Sequence, residues 1–219
     1  GVPTFYTRLC KHPGVTKEST AHMRLFISGS APLLAETHDE FRAKTGQAIL
    51  ERYGMTETSM NTSNPYDGER RAGTVGKPLS QISVRIADPA THKALPPETD
   101  GMIEVKGPNL FRGYWRNPQK TAEDHTADGW FITGDMGRVS HDGYVTISGR
   151  AKDLIITGGF NVYPKEVELL LDAMPGVLES AVFGLPHADF GETPQSGHVC
   201  DLGSIRRANR LRRRAQYVV

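Results

Sequence analysis

Two kinds of text divide this 219-residue chain, and the change comes near Ala72. Upstream, the apolar run at 23–28 reads as a buried strand bounded by Gly29-Ser30. Residues 32–44 carry Leu33, Leu34, Phe41 and Ala43 among charged neighbours, as a surface helix would, with Pro32 near the first turn and Gly46 at the end. Residues 48–53 read as a second strand running into a turn at Gly54. Strand, helix, strand in that order predicts an α/β unit with parallel pairing. Downstream the apolar positions alternate at 82–86, 102–106 and 144–147. Asp100-Gly101, Asp128-Gly129 and Asp142-Gly143 punctuate these runs, so 72–149 is expected to be mostly antiparallel β.

A polar break at Gly149-Arg150-Ala151-Lys152-Asp153 ends this region. A strand at 154–157, a Gly-Gly turn, a helix at 164–174 and a strand at 177–184 follow. The helix has Val167, Leu170, Leu171 and Met174 at helical spacing. The expected class is therefore α/β and α+β: a parallel α/β segment plus an antiparallel β part over 1–149, then a small α+β unit over 150–192.

Composition narrows the partners. Hydrophobic residues make up 37%, enough for a buried core. No apolar run approaches the roughly 20 residues that span a bilayer. Cys10 and Cys200 are too few for a disulfide framework or a metal site, which makes a reducing cytoplasm the expected location. The start, Gly1-Val2-Pro3, shows neither an initiator Met nor a signal pattern and reads as cut from something longer. The formal net charge of +1 is uneven: from Thr193 onward there are six Arg, no Lys and one acid, leaving −4 to the preceding 192 residues. Such a tail could contact RNA or a membrane, but apart from Tyr217 it lacks interleaved aromatics. No nucleic acid and no membrane is the expectation.

Three clusters could carry chemistry. In Tyr53-Gly54-Met55-Thr56-Glu57-Thr58 a strand ends in a loop that can offer Thr56 to a phosphate oxygen and Glu57 to a hydrated Mg2+. An ordinary capped loop is the alternative. In Gly129-Trp130-Phe131-Ile132-Thr133-Gly134-Asp135 the carboxylate could accept from two ribose hydroxyls, or merely satisfy a turn. In the third, Arg150 can pair with phosphate or ribose oxygens, and Gly158-Gly159 lets a ligand approach the backbone closely. A polar linker and a glycine turn would explain the same residues.

In this order the three clusters resemble the adenylate-forming superfamily of acyl-CoA synthetases, adenylation domains and luciferases. Ser28-Gly29-Ser30-Ala31-Pro32-Leu33, Gly73-Thr74-Val75-Gly76-Lys77-Pro78, Glu104-Val105-Lys106-Gly107-Pro108-Asn109 and Gly113-Tyr114-Trp115 fill the gaps between them, and the likeness covers 1–192. Within the superfamily it is greatest to bacterial malonyl-CoA synthetases, through Glu51-Arg52-Tyr53-Gly54-Met55-Thr56-Glu57-Thr58 and Asn61-Thr62-Ser63-Asn64-Pro65-Tyr66-Asp67-Gly68. The resemblance implies ATP, Mg2+ and coenzyme A as cosubstrates and a small carboxylic acid, malonate, as substrate. It implies ATP or AMP binding by Ser30, Ala31, Pro32, Tyr53, Gly54, Met55, Thr56, Asp135 and Arg150, and Mg2+ binding by Glu57. Thr56 and Glu57 would be catalytic, Lys152 would be the hinge of the small domain, and Gly158 and Gly159 would fall where the coenzyme A arm passes. A dicarboxylate needs a cation for its second carboxylate, since an unpaired buried charge is costly. Arg52 or Arg8 could supply it, with Ser28 beside the acid, though either Arg could be a surface or structural residue.

Departures from the pattern carry expectations of their own. The superfamily's Ser/Thr/Gly-rich phosphate loop has no counterpart here, and no Lys follows Lys165. A fragment unable to form adenylate alone, and prone to associate, is expected. Another short or medium-chain acid, or a non-catalytic remnant, are the competing functions. After Gly191-Glu192 the superfamily continues with an apolar strand, whereas this chain reads Thr193-Pro194-Gln195-Ser196-Gly197-His198 and then turns Arg-rich. That stretch, 193–219, is expected to be atypical and possibly frameshifted.

Overall fold

Helix α1 (Pro3–Lys11) opens with proline in its first turn, where the missing N–H has no intrahelical partner to lose, and ends on Arg8 and Lys11, which suit the negative end of the helix dipole. The computed structural model describes residues 1–172, 174 and 176–200. They form two units, Gly1–Ile147 and one that begins at Ser148. After α1 come a single turn α2 (Lys17–Thr20), strand β1 (Ile27–Ser28), helix α3 (Ala35–Thr45) and strand β2 (Leu50–Met55). β1 and β2 pair in parallel, Ile27 opposite Leu50 and Ser28 opposite Glu51, with α3 as the crossover. Tyr6, Cys10, Leu33, Phe41 and Ile49 pack beneath them. The Phe41 ring meets Tyr6 at 5.3 Å and Phe26 at 4.8 Å, both edge-on. The Tyr6 hydroxyl donates to the Ile27 carbonyl at 2.6 Å, and burial pushes its pKa up to about 12.

Three expectations for this region need correction. The strand expected at 23–28 is only two residues long, because the Met23 amide closes a turn on the Thr20 carbonyl and the ladder with β2 starts at Phe26. The helix begins at Ala35 rather than Pro32; Leu34 is its extended N-cap, which frees Leu33 to enter the core. Gly54 does not make the turn. It lies inside β2 at a register shift, and the turn is Thr56-Glu57-Thr58, which leads into antiparallel β3 (Ser59–Ser63). Any side chain at Gly54 would stand 1.9 Å from the Ser59 carbonyl oxygen, so close approach of β3 is what requires glycine. β4 (Lys77–Pro78) completes the order β1-β2-β3-β4.

The antiparallel text folds as expected into a second sheet of β5 (Ser83–Ala87), β6 (Gly101–Lys106), β7 (Phe131–Val139) and β8 (Val145–Arg150), in that order. Helix α4 (Pro118–Glu123) lies between β6 and β7, capped by the Asn117 side chain. Asp142-Gly143 and Asp128-Gly129 sit at turns, with φ of 88° and 84° at the glycines. Asp100-Gly101 does not: Gly101 opens β6, where a side chain would meet the Ala87 carbonyl oxygen at 2.6 Å. Fully buried Glu104 is matched by Arg85 at 2.7 Å and His92 at 2.6 Å, as a charge in that position must be. Residues 74–76 join the two sheets. The Val75 amide donates to the Val145 carbonyl and the Val145 amide to the Gly76 carbonyl, at 2.9 and 2.8 Å. On their other side Thr62 donates to Val75 at 2.7 Å and Asn64 to Thr74 at 2.8 Å.

In the second unit a 3-10 turn (Ala151–Asp153) precedes β9 (Ile155–Thr157), β10 (Phe160–Val162), α5 (Pro164–Asp172), β11 (Val177–His187) and β12 (Gly191–Cys200). The order is β10-β9-β12-β11, antiparallel throughout. Gly158 and Gly159 form the two-residue β9–β10 hairpin, both left-handed at φ 56° and 83°. Of the apolar positions at helical spacing, Leu170 is 71% exposed and Met174, beyond the helix end, 53%. The covered side is turned to β11, where the Val182 amide donates to Glu168 and the Ser180 hydroxyl to Asp172. Regular structure does not stop at Glu192. β12 runs to Cys200, with Thr193 opposite Leu185 and Cys200 opposite Val177, because backbone pairing needs no apolar sequence. Residues 201–219, which hold the Arg-rich run, lie outside the described residues. No described helix is long and apolar enough to cross a membrane.

Candidate functional site

In open α/β sheets, ligands meet the carboxyl ends of the parallel strands. Here that end gathers several of the expected residues. β1 ends at Ser28, whose side chain is buried and whose hydroxyl has no hydrogen-bond partner among the described residues. The exposed Ser30-Ala31-Pro32 turn follows, with Ser30 left-handed at φ 70°. Arg52 is exposed on neighbouring β2. A side chain at Gly29 would touch its carbonyl at 3.4 Å and its Cγ at 3.7 Å, so the Arg52 stem lies against the Ser28-Gly29-Ser30 turn. Arg8 stands on α1, exposed, and no described contact joins it to that turn.

The loop after β2 is gripped from two sides. Asn109 donates to the Thr58 carbonyl at 2.6 Å and to Asn61 at 3.1 Å. The Phe111 amide donates to the Glu57 carbonyl at 2.7 Å. This leaves Thr56 exposed and the Glu57 carboxylate half-buried beside the Tyr114 hydroxyl, 3.1 Å from its Oε1. Tyr114 is also 3.1 Å from Asp124 Oδ2, and Asp124 Oδ1 is held by Lys120 at 2.6 Å. Burial, then the two carboxylates, push the Tyr114 phenol well above its ordinary pKa. The donor set suits a hydrated divalent cation that arrives with phosphate oxygens, which needs only one or two carboxylates from protein. Glu57 offers one such carboxylate, with Thr56 beside it. Among the described residues no group of three His, Cys, Asp or Glu could hold a metal unaided.

Asp135 comes to this end from the second sheet. It is 5% exposed, its Oδ2 accepts from the Tyr53 hydroxyl at 2.5 Å, and its amide donates to Thr133 at 3.0 Å. Tyr53 and Asp135, expected separately at a nucleotide, are thus bonded to each other across 82 positions. Further back along β2, Glu51 and His38 of α3 are buried 3.6 Å apart, and burial raises the Glu51 carboxyl despite the opposing pull of His38. The remaining expected residues belong to the connection and the second unit. Arg150 ends β8, Lys152 is exposed in the 3-10 turn, and Gly158 and Gly159 form the hairpin already described. Sequence reasoning assigned no role to Tyr114, Asp124, Asn109 or His38. Glu104-Val105-Lys106-Gly107-Pro108-Asn109 and Gly113-Tyr114-Trp115 were the available signals, as matching fragments without a task.

A sequence profile described as AMP-binding enzyme matches residues 1–115, just over half of the chain. The chain belongs to the AMP-binding enzyme family. Among family relatives, malonate–CoA ligase of Arabidopsis thaliana is 42% identical over 205 residues, covering 88% of this chain and 32% of that protein. The crystal structure of ATP-bound MatB from Rhodopseudomonas palustris is 66% identical with a TM-score of 0.91, over 93% of this chain and 40% of that one. A malonyl-CoA ligase ternary product complex with methylmalonyl-CoA and AMP bound is 45% identical with a TM-score of 0.63. This AMP-binding chain therefore spans about a third of the length of the curated relatives it matches.

Proposed function

We propose that the chain is part of an ATP-dependent malonate–CoA ligase. In this reading one malonate carboxylate attacks the α-phosphorus of ATP and displaces pyrophosphate. The thiol of coenzyme A then attacks the acyl carbonyl, and AMP leaves. Residues 1–149 belong to the large nucleotide-binding domain and 150–192 to the small one, with Lys152 at the hinge. Thr56 contacts phosphate, the Asp135 carboxylate accepts from ribose hydroxyls while Tyr53 fixes its angle, and Arg150 contacts the nucleotide. The Ser30-Ala31-Pro32 turn lines the adenine and acyl pocket, and Gly158-Gly159 borders the coenzyme A path. Glu57 holds Mg2+, which screens the phosphate charge when bound.

The observation that carries the choice of malonate is Arg52, an exposed guanidinium whose stem lies on the Gly29 turn, next to a buried Ser28 hydroxyl without a partner among the described residues. A cation and a hydroxyl at the acyl end suit a second carboxylate and are wasted on an alkyl chain. Relatives named as malonate–CoA ligase and malonyl-CoA ligase, at 42% and 45% identity, support the same choice. The test is ATP–pyrophosphate exchange by the protein with its flanking sequence, over malonate, methylmalonate and butyrate. Malonate should lead, and R52A should lower kcat/KM for malonate by about 100-fold, the size of one charge-assisted bidentate contact of roughly 3 kcal/mol, with little effect on butyrate. Equal rates with malonate and butyrate would remove the charge argument.

A further inference from the structure

We infer that Tyr114 is a positioning residue that holds the Glu57 carboxylate in the orientation that meets a divalent cation carried by the nucleotide. The inference rests on the reading of Glu57 as the metal-facing acid. A glutamate on a three-residue loop has three side-chain torsions to settle, and its loop offers no cation to settle them. The segment after β6 does this from two points. Phe111 fixes the Glu57 backbone through the carbonyl, and Tyr114 fixes the carboxylate through Oε1. The Tyr114 ring is itself held, edge-on to Phe111 at 4.8 Å, with its amide on the Thr121 hydroxyl at 2.9 Å.

The second feature is an excess of acceptors. One phenolic proton faces two carboxylates at equal distance, Glu57 Oε1 and Asp124 Oδ2, both at 3.1 Å. Asp124 has its own cation in Lys120 at 2.6 Å. Glu57 has no charged partner among the described residues, so the phenolic hydroxyl is the group that steadies its carboxylate. Outer-shell partners of this kind typically change metal affinity by 10- to 100-fold when removed.

The test uses the protein with its flanking sequence and Mn2+ as the probe, titrated by electron paramagnetic resonance in the presence of a non-hydrolysable ATP analogue. Y114F should weaken Mn2+ binding about ten-fold while leaving the KM for malonate unchanged. K120M, at an exposed position on α4, strips Asp124 of its cation. Asp124 then competes for the phenolic proton, and Mn2+ binding should weaken by a few-fold. E57Q should weaken it at least as much as Y114F. If E57Q weakens binding while Y114F and K120M match the unaltered protein, Tyr114 is a structural peg and the inference is overturned. If E57Q itself has no effect, the assignment of Glu57 fails, and this inference falls with it.

Discussion

Replacing Gly54 by alanine tests whether the β2–β3 contact sets the Thr56-Glu57-Thr58 turn. The new methyl would sit 1.9 Å from the Ser59 carbonyl oxygen and 2.9 Å from its carbon; Met60 Cε, at 2.8 Å, could swing away, but the backbone cannot. Carbon–oxygen contacts within sheets run at about 3.3–3.6 Å, so the strands must part by roughly 1.4 Å. The pairs beyond the bulge, Gly54 with Met60 and Met55 with Ser59, are those that yield. Two ladder hydrogen bonds lost at about 1 kcal/mol each, with overpacking strain of about 1–3 kcal/mol, give a loss of about 3–5 kcal/mol. Alanine restricts the unfolded chain and returns up to about 1 kcal/mol, which leaves about 2–4 kcal/mol. Gly143→Ala is the control: its φ is 88° and nothing lies within 4 Å, so only backbone strain of about 1 kcal/mol applies. Urea unfolding followed by fluorescence of Trp115 and Trp130 should show a lower midpoint for G54A with the slope preserved. A G54A protein as stable as G143A would refute the close-approach argument.

Tyr53→Phe removes the 2.5 Å bond to buried Asp135 and should cost about 1.5–3 kcal/mol by thermal melting, the value of a hydrogen bond to a charged group. Asp142 is held well below the usual carboxylate range by Arg71 and then by the Ser140 hydroxyl. Its folded pKa is depressed, so its contribution is present above about pH 4 and is lost as pH falls below that. D142N should flatten the acid limb of the stability profile and leave its neutral shape unchanged. The 219 residues alone, which span 40% of the MatB chain, should show no pyrophosphate exchange, and a measurable rate would contradict this.

What could be read along the chain was whatever is decided locally. The parallel strands and their crossover helix follow from apolar runs closed by Gly46, and the second sheet from alternation closed by Asp128-Gly129 and Asp142-Gly143. Where neighbours distant in sequence decide, the text was silent or misleading. Gly54 reads as a turn, but β3 makes it a close-contact position. Residues 193–200 read as a broken pattern, but β11 supplies a backbone ladder that does not depend on their side chains. Thr56, Glu57 and Asp135 could be picked out as chemically capable. Their tyrosine contacts could not, because Tyr114 reaches Glu57 across 57 positions, and Tyr53, itself picked out, reaches Asp135 across 82. Helix α1 carried no expectation; it is short, and its meaning lies in the Phe41 ring it covers.

The join at residues 74–76 works like a dowel between two boards. Gly76 fits so tightly that a β-carbon there would overlap the Ser63 carbonyl carbon and the Asn64 nitrogen at 1.9 and 2.0 Å. Glu57 belongs to one board and Asp135 to the other, so the spacing between these two carboxylates is fixed by the fold itself. A lengthened loop at 88–100 would hang free of this joint, whereas a single residue inserted at 74–76 would change the gauge of the site while leaving each of its side chains intact.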